Sequence, residues 1–258
     1  MQQAAQIHLA SRKGVPMSDP LSVVSDGRLL RITFCREGGG VSDGMAARLS
    51  EALLRAHETS DAVLLSAAGP DFCTGRVREA AGPPATEAYS RRPEYDAIFG
   101  SYTAIRNAQV PVIAAIEGRA MGYGMAVTAL CDVSIASETA RFNIPELEHN
   151  VMPTMVMSAL AGRLARNAVL WMAYSAQFID AERALAYGLV SQVVPAASLK
   201  QESERFCQVL LGRPRPAILG LKEYLRVAPR LDDQAATDYA RSLHAMINTA
   251  AAMKRANP

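Results

Sequence analysis

What this chain lacks narrows its chemistry first. It lacks an excess of either charge: 27 Lys and Arg stand against 25 Asp and Glu, a formal net of +2. There is therefore no bulk electrostatic basis for gripping nucleic acid or an anionic membrane, and neither is expected as a partner. It lacks closely spaced cysteines. The four, at 35, 73, 131 and 207, match neither a zinc spacing nor a disulfide framework, which fits a reducing compartment and a cytoplasmic protein. It lacks any apolar run near the ~20 residues of a membrane span. Its first 17 residues lack the apolar centre of a secretory signal. No His/Asp/Glu cluster has metal-ligand spacing, so no metal is expected. Gly-x-Ser-x-Gly does not occur. Gly38-Gly39-Gly40 lacks the Gly-x-Gly-x-x-Gly spacing of a dinucleotide fingerprint. What remains is a chain of 258 residues, 50% hydrophobic, enough for one large domain with or without an appendage.

Residues 1–20 are polar and carry Gly14 and Pro16. Residues 1–17 are read as a tail, with Met17 as a second possible start. Residues 18–197 are read as the catalytic core and 198–258 as a helical end. Leu29–Phe34 reads as a strand. Residues 42–57 fit a helix that Ser42 or Asp43 can cap, with Met45, Leu49, Leu53 and Leu54 recurring at helical spacing. Residues 62–66 and Val112–Ile116 read as buried strands, and 132–136 as a further short one. Residues 69–86 form a long loop suited to a substrate-binding segment, and 94–108 a helix. Strands alternating with helices predict an α/β fold built from parallel units. From about Leu199 strand signals stop, and residues 198–211, 217–227 and 232–254 read as helices divided by Pro214, Pro216 and Pro229.

Two glycine turns follow apolar strand-like runs. The first run leads into Phe72-Cys73-Thr74-Gly75-Arg76 and the second into Gly118-Arg119-Ala120-Met121-Gly122-Tyr123-Gly124. Such turns expose backbone N–H groups, and two that converge, one near a helix start, can stabilise a developing oxyanion. A Pro145-Glu146 pair lies downstream. Cys131-Asp132, Ala140-Arg141-Phe142 and a late Gly188-Leu189-Val190…Val193-Val194-Pro195 follow in order.

Taken in this order, the motifs resemble the crotonase (enoyl-CoA hydratase/isomerase) superfamily over roughly residues 20–230. The resemblance implies a crotonase-like ββα superhelical core with a helical C-terminal region that packs across subunits of a trimer or hexamer. It implies an acyl-CoA thioester as substrate, with coenzyme A as part of that substrate and no separate cofactor. Matched position by position, the oxyanion donors are the backbone N–H groups of Arg76 and Tyr123, and Glu146 is the catalytic carboxylate. Thr74, Gly75, Gly122 and Gly124 frame the substrate, and Arg36 lies where the family commonly contacts the CoA nucleotide. A carboxylate beside an apolar pocket has a raised pKa and can shuttle protons near neutral pH.

The departures carry as much information. Two-glutamate hydratases have a second glutamate where this chain has Ala126. A methyl group transfers no proton, so single-base chemistry such as double-bond isomerisation is expected. The alternatives are a hydratase using Glu146 alone and a catalytically silent CoA-ester binder. The family's glycine-rich run is replaced by Pro153-Thr154-Met155-Val156-Met157-Ser158, whose methionines are expected to fill core. Val77 replaces a usual aspartate, and Arg76 and Arg78 add charge. Their side chains are expected to be solvated, with contact to CoA phosphates or a carboxylated acyl group as the functional reading. Glu148 is expected in solvent and held as a reserve base. His149 either lines the pocket or is structural. Cys73 has no companion histidine at a recognisable spacing.

Overall fold

A computed structural model describes residues 20–77 and 87–254. In chain order its first half holds β1 (Leu21–Asp26), β2 (Leu29–Phe34), β3 (Gly40–Val41), α1 (Asp43–Thr59), β4 (Ala62–Ala67), β5 (Gly75–Arg76), α2 (Asp96–Asn107), β6 (Val112–Ile116), β7 (Arg119–Met121), α3 (Tyr123–Leu130) and β8 (Val133–Ser137). The second half holds β9 (Arg141–Asn143), α4 (Thr154–Leu160), α5 (Arg166–Ser175), β10 (Ile179–Asp180), α6 (Ala181–Ala186), β11 (Gln192–Val194), α7 (Leu199–Leu211), α8 (Arg215–Val227) and α9 (Asp233–Asn248).

The main sheet runs β1-β2-β4-β6-β8-β11. Every neighbouring pair is parallel except β1, which returns antiparallel on β2 through Gly27. This edge strand was not read from the sequence. Only Leu21 of it is buried, while Val23 and Val24 are each 40% exposed, so no alternation marks it. The inner strands are near-continuous apolar runs because both faces are covered. Val63, Leu65, Val112 and Ala114 enter the main core. Their neighbours Ala62, Leu64 and Ile113 face the other way, against Phe206 and Cys207 of α7. The helical end therefore begins with a helix that is itself a layer of the core. Arg31 on β2 pins it through a two-pronged ion pair with Glu204.

Ser42 rather than Asp43 caps α1, its hydroxyl accepting from Met45 N. The helix buries Met45, Ala46, Leu49, Leu53 and Ala56. Leu54 departs from expectation: it is 56% exposed, because it sits one residue around the helix from the Leu49–Leu53 stripe. Where methionines stand in place of a glycine-rich run, the chain winds into α4, and Met155 and Met157, expected to fill core, are half-buried against it.

Asp132, between α3 and β8, ties three elements together. Its Oδ2 accepts from Val112 N at 2.7 Å and from Lys222 Nζ of α8 at 2.5 Å. Lys222 also donates to the Val110 carbonyl at 3.0 Å. The hairpin of α8 and α9 is thereby fixed to the sheet, yet Leu221, Leu225 and Met246 stand 65%, 66% and 62% exposed on it. No helix among the described residues is long and apolar enough to cross a membrane.

Candidate active site

The two glycine turns, far apart in sequence, are sewn together by backbone. Cys73 N donates to the Arg119 carbonyl at 3.0 Å and Met121 N to the Cys73 carbonyl at 2.8 Å, forming a parallel bridge between Cys73 and Ala120. The glycines allow this approach. A β-carbon on Gly124 would meet the Cys73 carbonyl oxygen at 2.5 Å and its Cβ at 2.7 Å. A β-carbon on Gly118 would meet the Pro70 oxygen at 1.9 Å. Gly124 is buried inside α3, so its observed role is to let helix and loop touch. The Gly38-Gly39-Gly40 triplet supports the same loop. Thr74 donates through N to the Gly39 carbonyl (2.9 Å) and through Oγ1 to the Gly38 carbonyl (2.6 Å).

Arg76 lies on β5, which pairs with β3. Val77 N donates to the Val41 carbonyl at 2.9 Å. Successive amides of an extended chain point to opposite sides, so Arg76 N–H turns away from β3. Tyr123 is the first residue of α3, where N–H groups have no intrahelical acceptor. Gly122, with φ +48°, makes the turn into that helix, and its carbonyl accepts the first helical bond from Ala126 N. The structure thus brings the two expected donors to one junction.

Glu146 reaches the same junction from a 3₁₀ turn, Glu146–His149, after β9. β9 lies parallel to β7 with Asn143 opposite Met121, and Gly122 N donates to the Asn143 carbonyl at 3.1 Å. A β-carbon on Gly122 would lie 2.7 Å from Glu146 Oε1. Oε2 of Glu146 is buried without a hydrogen-bond partner among the described residues. Burial raises the Glu146 pKa from its ordinary value, opposed by its own backbone N–H and by nearby His149. Burial of this kind favours the uncharged form of a carboxyl group. Glu148 and His149 are exposed. Ala126 is fully buried in α3.

One expectation is overturned. The Arg76 side chain is not solvated but 14% exposed, and it grips Asp43 at the start of α1 through Nε (2.7 Å) and Nη2 (2.6 Å). It also donates to the Glu94 carbonyl at 2.8 Å and lies 5.8 Å over the Tyr95 ring. The guanidinium thus braces the loop that carries its own amide. By sequence Asp43 is only a possible helix cap, and nothing local points to it as a partner of Arg76. Arg78 lies outside the described residues. Arg36 is half-buried with no side-chain hydrogen bond or ion pair among the described residues. Cys73 is buried, and its thiol is pushed up to about 12, chiefly by burial, which disfavours a nucleophilic thiolate. No group of His, Cys, Asp and Glu among the described residues is arranged to hold a metal.

This arrangement agrees with what the chain is similar to. The family model for enoyl-CoA hydratase/isomerase matches residues 29–256. Human enoyl-CoA hydratase domain-containing protein 3, mitochondrial, is 29% identical over 225 residues, covering 84% of this chain and 71% of that protein. Carnitinyl-CoA dehydratase of Shigella flexneri is 28% identical over 234 residues, covering 88% and 87%. The crystal structure of enoyl-CoA hydratase from Mycobacterium smegmatis superposes with a TM-score of 0.85 at 27% identity, over 92% of this chain and 93% of that one. With the sheet, the sewn glycine turns and the seated glutamate all in their expected order, the chain belongs to the enoyl-CoA hydratase/isomerase family and has the crotonase fold.

Proposed function

We propose that the protein acts on acyl-CoA thioesters, with Glu146 as the single proton-transfer residue. The substrate carbonyl oxygen sits between the backbone N–H groups of Arg76 and Tyr123. Glu146 takes a proton from the carbon α to the thioester carbonyl of a 3-enoyl-CoA, leaving a dienolate whose charge rests on that oxygen, and returns the proton to the γ carbon, which moves the double bond into conjugation with the carbonyl. Each oxyanion donor is worth about 2.7–4 kcal/mol of transition-state stabilisation. The observation that carries the reading is Glu146 itself. Among the described residues it is the one carboxylate with a buried oxygen lacking a partner, and it is seated on the turn that starts α3. Ala126, in the position of the second hydratase glutamate, has no proton to offer. The relatives' names, carnitinyl-CoA dehydratase and enoyl-CoA hydratase, support acyl-CoA as the substrate class.

The same names favour a second reading, addition of water to a 2-enoyl-CoA with Glu146 alone ordering the nucleophile. Assay of purified enzyme with 3-enoyl-CoA and 2-enoyl-CoA substrates separates the two. Conversion of 3-enoyl to 2-enoyl-CoA faster than hydration supports isomerisation. Hydration without isomerisation overturns it in favour of the second reading, and turnover of neither overturns both.

A further inference from the structure

The two ends of Tyr123 are held differently. Its N–H opens α3 and finds no acceptor among the described residues. Its side chain is buried and fastened to α2. The ring stacks on that of Tyr102, with centroids 5.4 Å apart and planes at 24°, and Phe99 meets Tyr102 edge-on at 6.3 Å. The Tyr123 hydroxyl lies 2.9 Å from Ser101 Oγ, and Ser101 Oγ donates to the Ile98 carbonyl at 2.7 Å. Ser101 is fully buried and has one hydroxyl proton, which that carbonyl takes. The proton between Tyr123 and Ser101 therefore comes from Tyr123. The chain of bonds has one direction: Tyr123 O–H to Ser101 Oγ, then Ser101 O–H to the Ile98 carbonyl. Burial raises the Tyr123 phenol, opposed by its bond to Ser101, so the hydroxyl keeps its proton at any working pH. Every link is buried, where breaking one strands a polar group.

We propose that Ser101 is a positioning residue for the oxyanion site, holding the Tyr123 N–H in place through the Tyr123 side chain. The proposal rests on the Tyr123 N–H being a donor to the thioester carbonyl. A residue at the first position of a helix makes no intrahelical bond through its N–H, so no such bond fixes that amide. In Gly122-Tyr123-Gly124 only the middle residue has a side chain to anchor. Gly122 N donates to the Asn143 carbonyl at 3.1 Å, which fastens the turn on the side of Glu146. The Ser101 chain fastens it on the side of α2. Two attachments, to separate elements and one residue apart, leave the amide between them little freedom to swing. An oxyanion donor needs that preorganisation, because it acts only when aimed at the developing charge.

The test compares Ser101→Ala, Tyr123→Phe and the double variant, all in the full-length protein. None of these changes removes the backbone N–H. A lost oxyanion donor costs about 10²–10³-fold in kcat, and a displaced one part of that. Each single variant should therefore lose about ten-fold in kcat, with KM little changed, on whichever enoyl-CoA is turned over. Ser101→Ala strands the Tyr123 hydroxyl and should melt below wild type. The double variant, with both polar partners gone, should melt near wild type yet keep the low kcat. Butanoyl-CoA labelled with carbon-13 at the thioester carbonyl has no double bond to move and reads the donor without turnover. Its carbonyl infrared band should fall in frequency on saturating wild type, and fall less on each variant. A double variant whose kcat recovers together with its melting temperature marks the bond as structural and overturns the role of Ser101. Variants with wild-type kcat and a wild-type carbonyl band overturn it too, and leave the oxyanion reading standing. A band that does not move with wild type overturns the oxyanion reading, and this one with it.

Discussion

Glu146 Oε1 fills the space that a side chain on Gly122 would occupy, 2.7 Å from the position of its β-carbon. The base and the turn that starts α3 therefore depend on each other. Gly122 has two reasons to be glycine, its φ of +48° and its neighbour. Gly122→Ala is expected to destabilise the protein by roughly 1–3 kcal/mol and to displace the carboxylate. Gly27→Ala is the control, since Gly27 has φ +61° but open space around it. Activity lost at 122 and kept at 27, with melting temperatures lowered in both, is the expected pattern.

Glu146→Gln keeps shape and removes the base. Turnover should fall by about 10²–10⁴-fold with little change in acyl-CoA affinity, read by steady-state kinetics and calorimetry. Unchanged turnover would hand the proton to Glu148 or His149.

The same variant tests the raised pKa of Glu146 through stability. A carboxyl group whose folded pKa lies above its unfolded value contributes stability that is fully present below the unfolded value. That contribution is lost as pH rises through the folded value. Wild type and Glu146→Gln should therefore melt alike at pH near 4, the ordinary carboxylate range, and the variant should melt higher once the pH passes the raised value. Scanning calorimetry across pH checks the sign, and a variant that loses stability on the alkaline side would contradict it.

Gly124→Ala pushes against the Cys73 backbone, which cannot yield without separating the turns that carry Arg76 and Tyr123. A displacement near 1 Å at a reacting centre costs about 10²-fold. The expected outcome is a kcat loss of that order, larger than the loss of acyl-CoA affinity.

Arg76→Gln and Asp43→Asn should each destabilise the protein, and the double mutant should cost less than their sum. A coupling of about 0.5–3 kcal/mol in a denaturation cycle is expected for contacting charges. Because this guanidinium is already bound within the chain, acyl-CoA affinity should change little in Asp43→Asn.

The α8–α9 hairpin carries the assembly prediction. Leu221, Leu225 and Met246 are more than half exposed beside a groove of about 320 Å³ lined by Ala217, Tyr224, Leu243 and Ile247. Apolar patches of this kind mark interfaces. Leu221→Glu with Leu225→Glu should convert a trimer or hexamer to monomer in light scattering, and a wild-type monomer at micromolar concentration would contradict the expectation.

The sequence by itself determined the order of elements and the identity of the site's backbone. Apolar runs covered on both faces, a serine before α1, and glycines at turns are local properties, written in consecutive residues and in the φ values only glycine adopts readily. Family order then marked Arg76, Tyr123 and Glu146, and the structure brings all three to one junction. Edge strand β1, whose valines face solvent, and Leu54, one position off its helix stripe, were not legible because burial is decided by what packs opposite. The grip of Arg76 on Asp43, the contact of Gly124 with Cys73 and the stacking of Tyr102 on Tyr123 were likewise decided only in three dimensions. Each joins segments separated by a helix or a strand, and no local periodicity encodes which distant side chain will share a buried space.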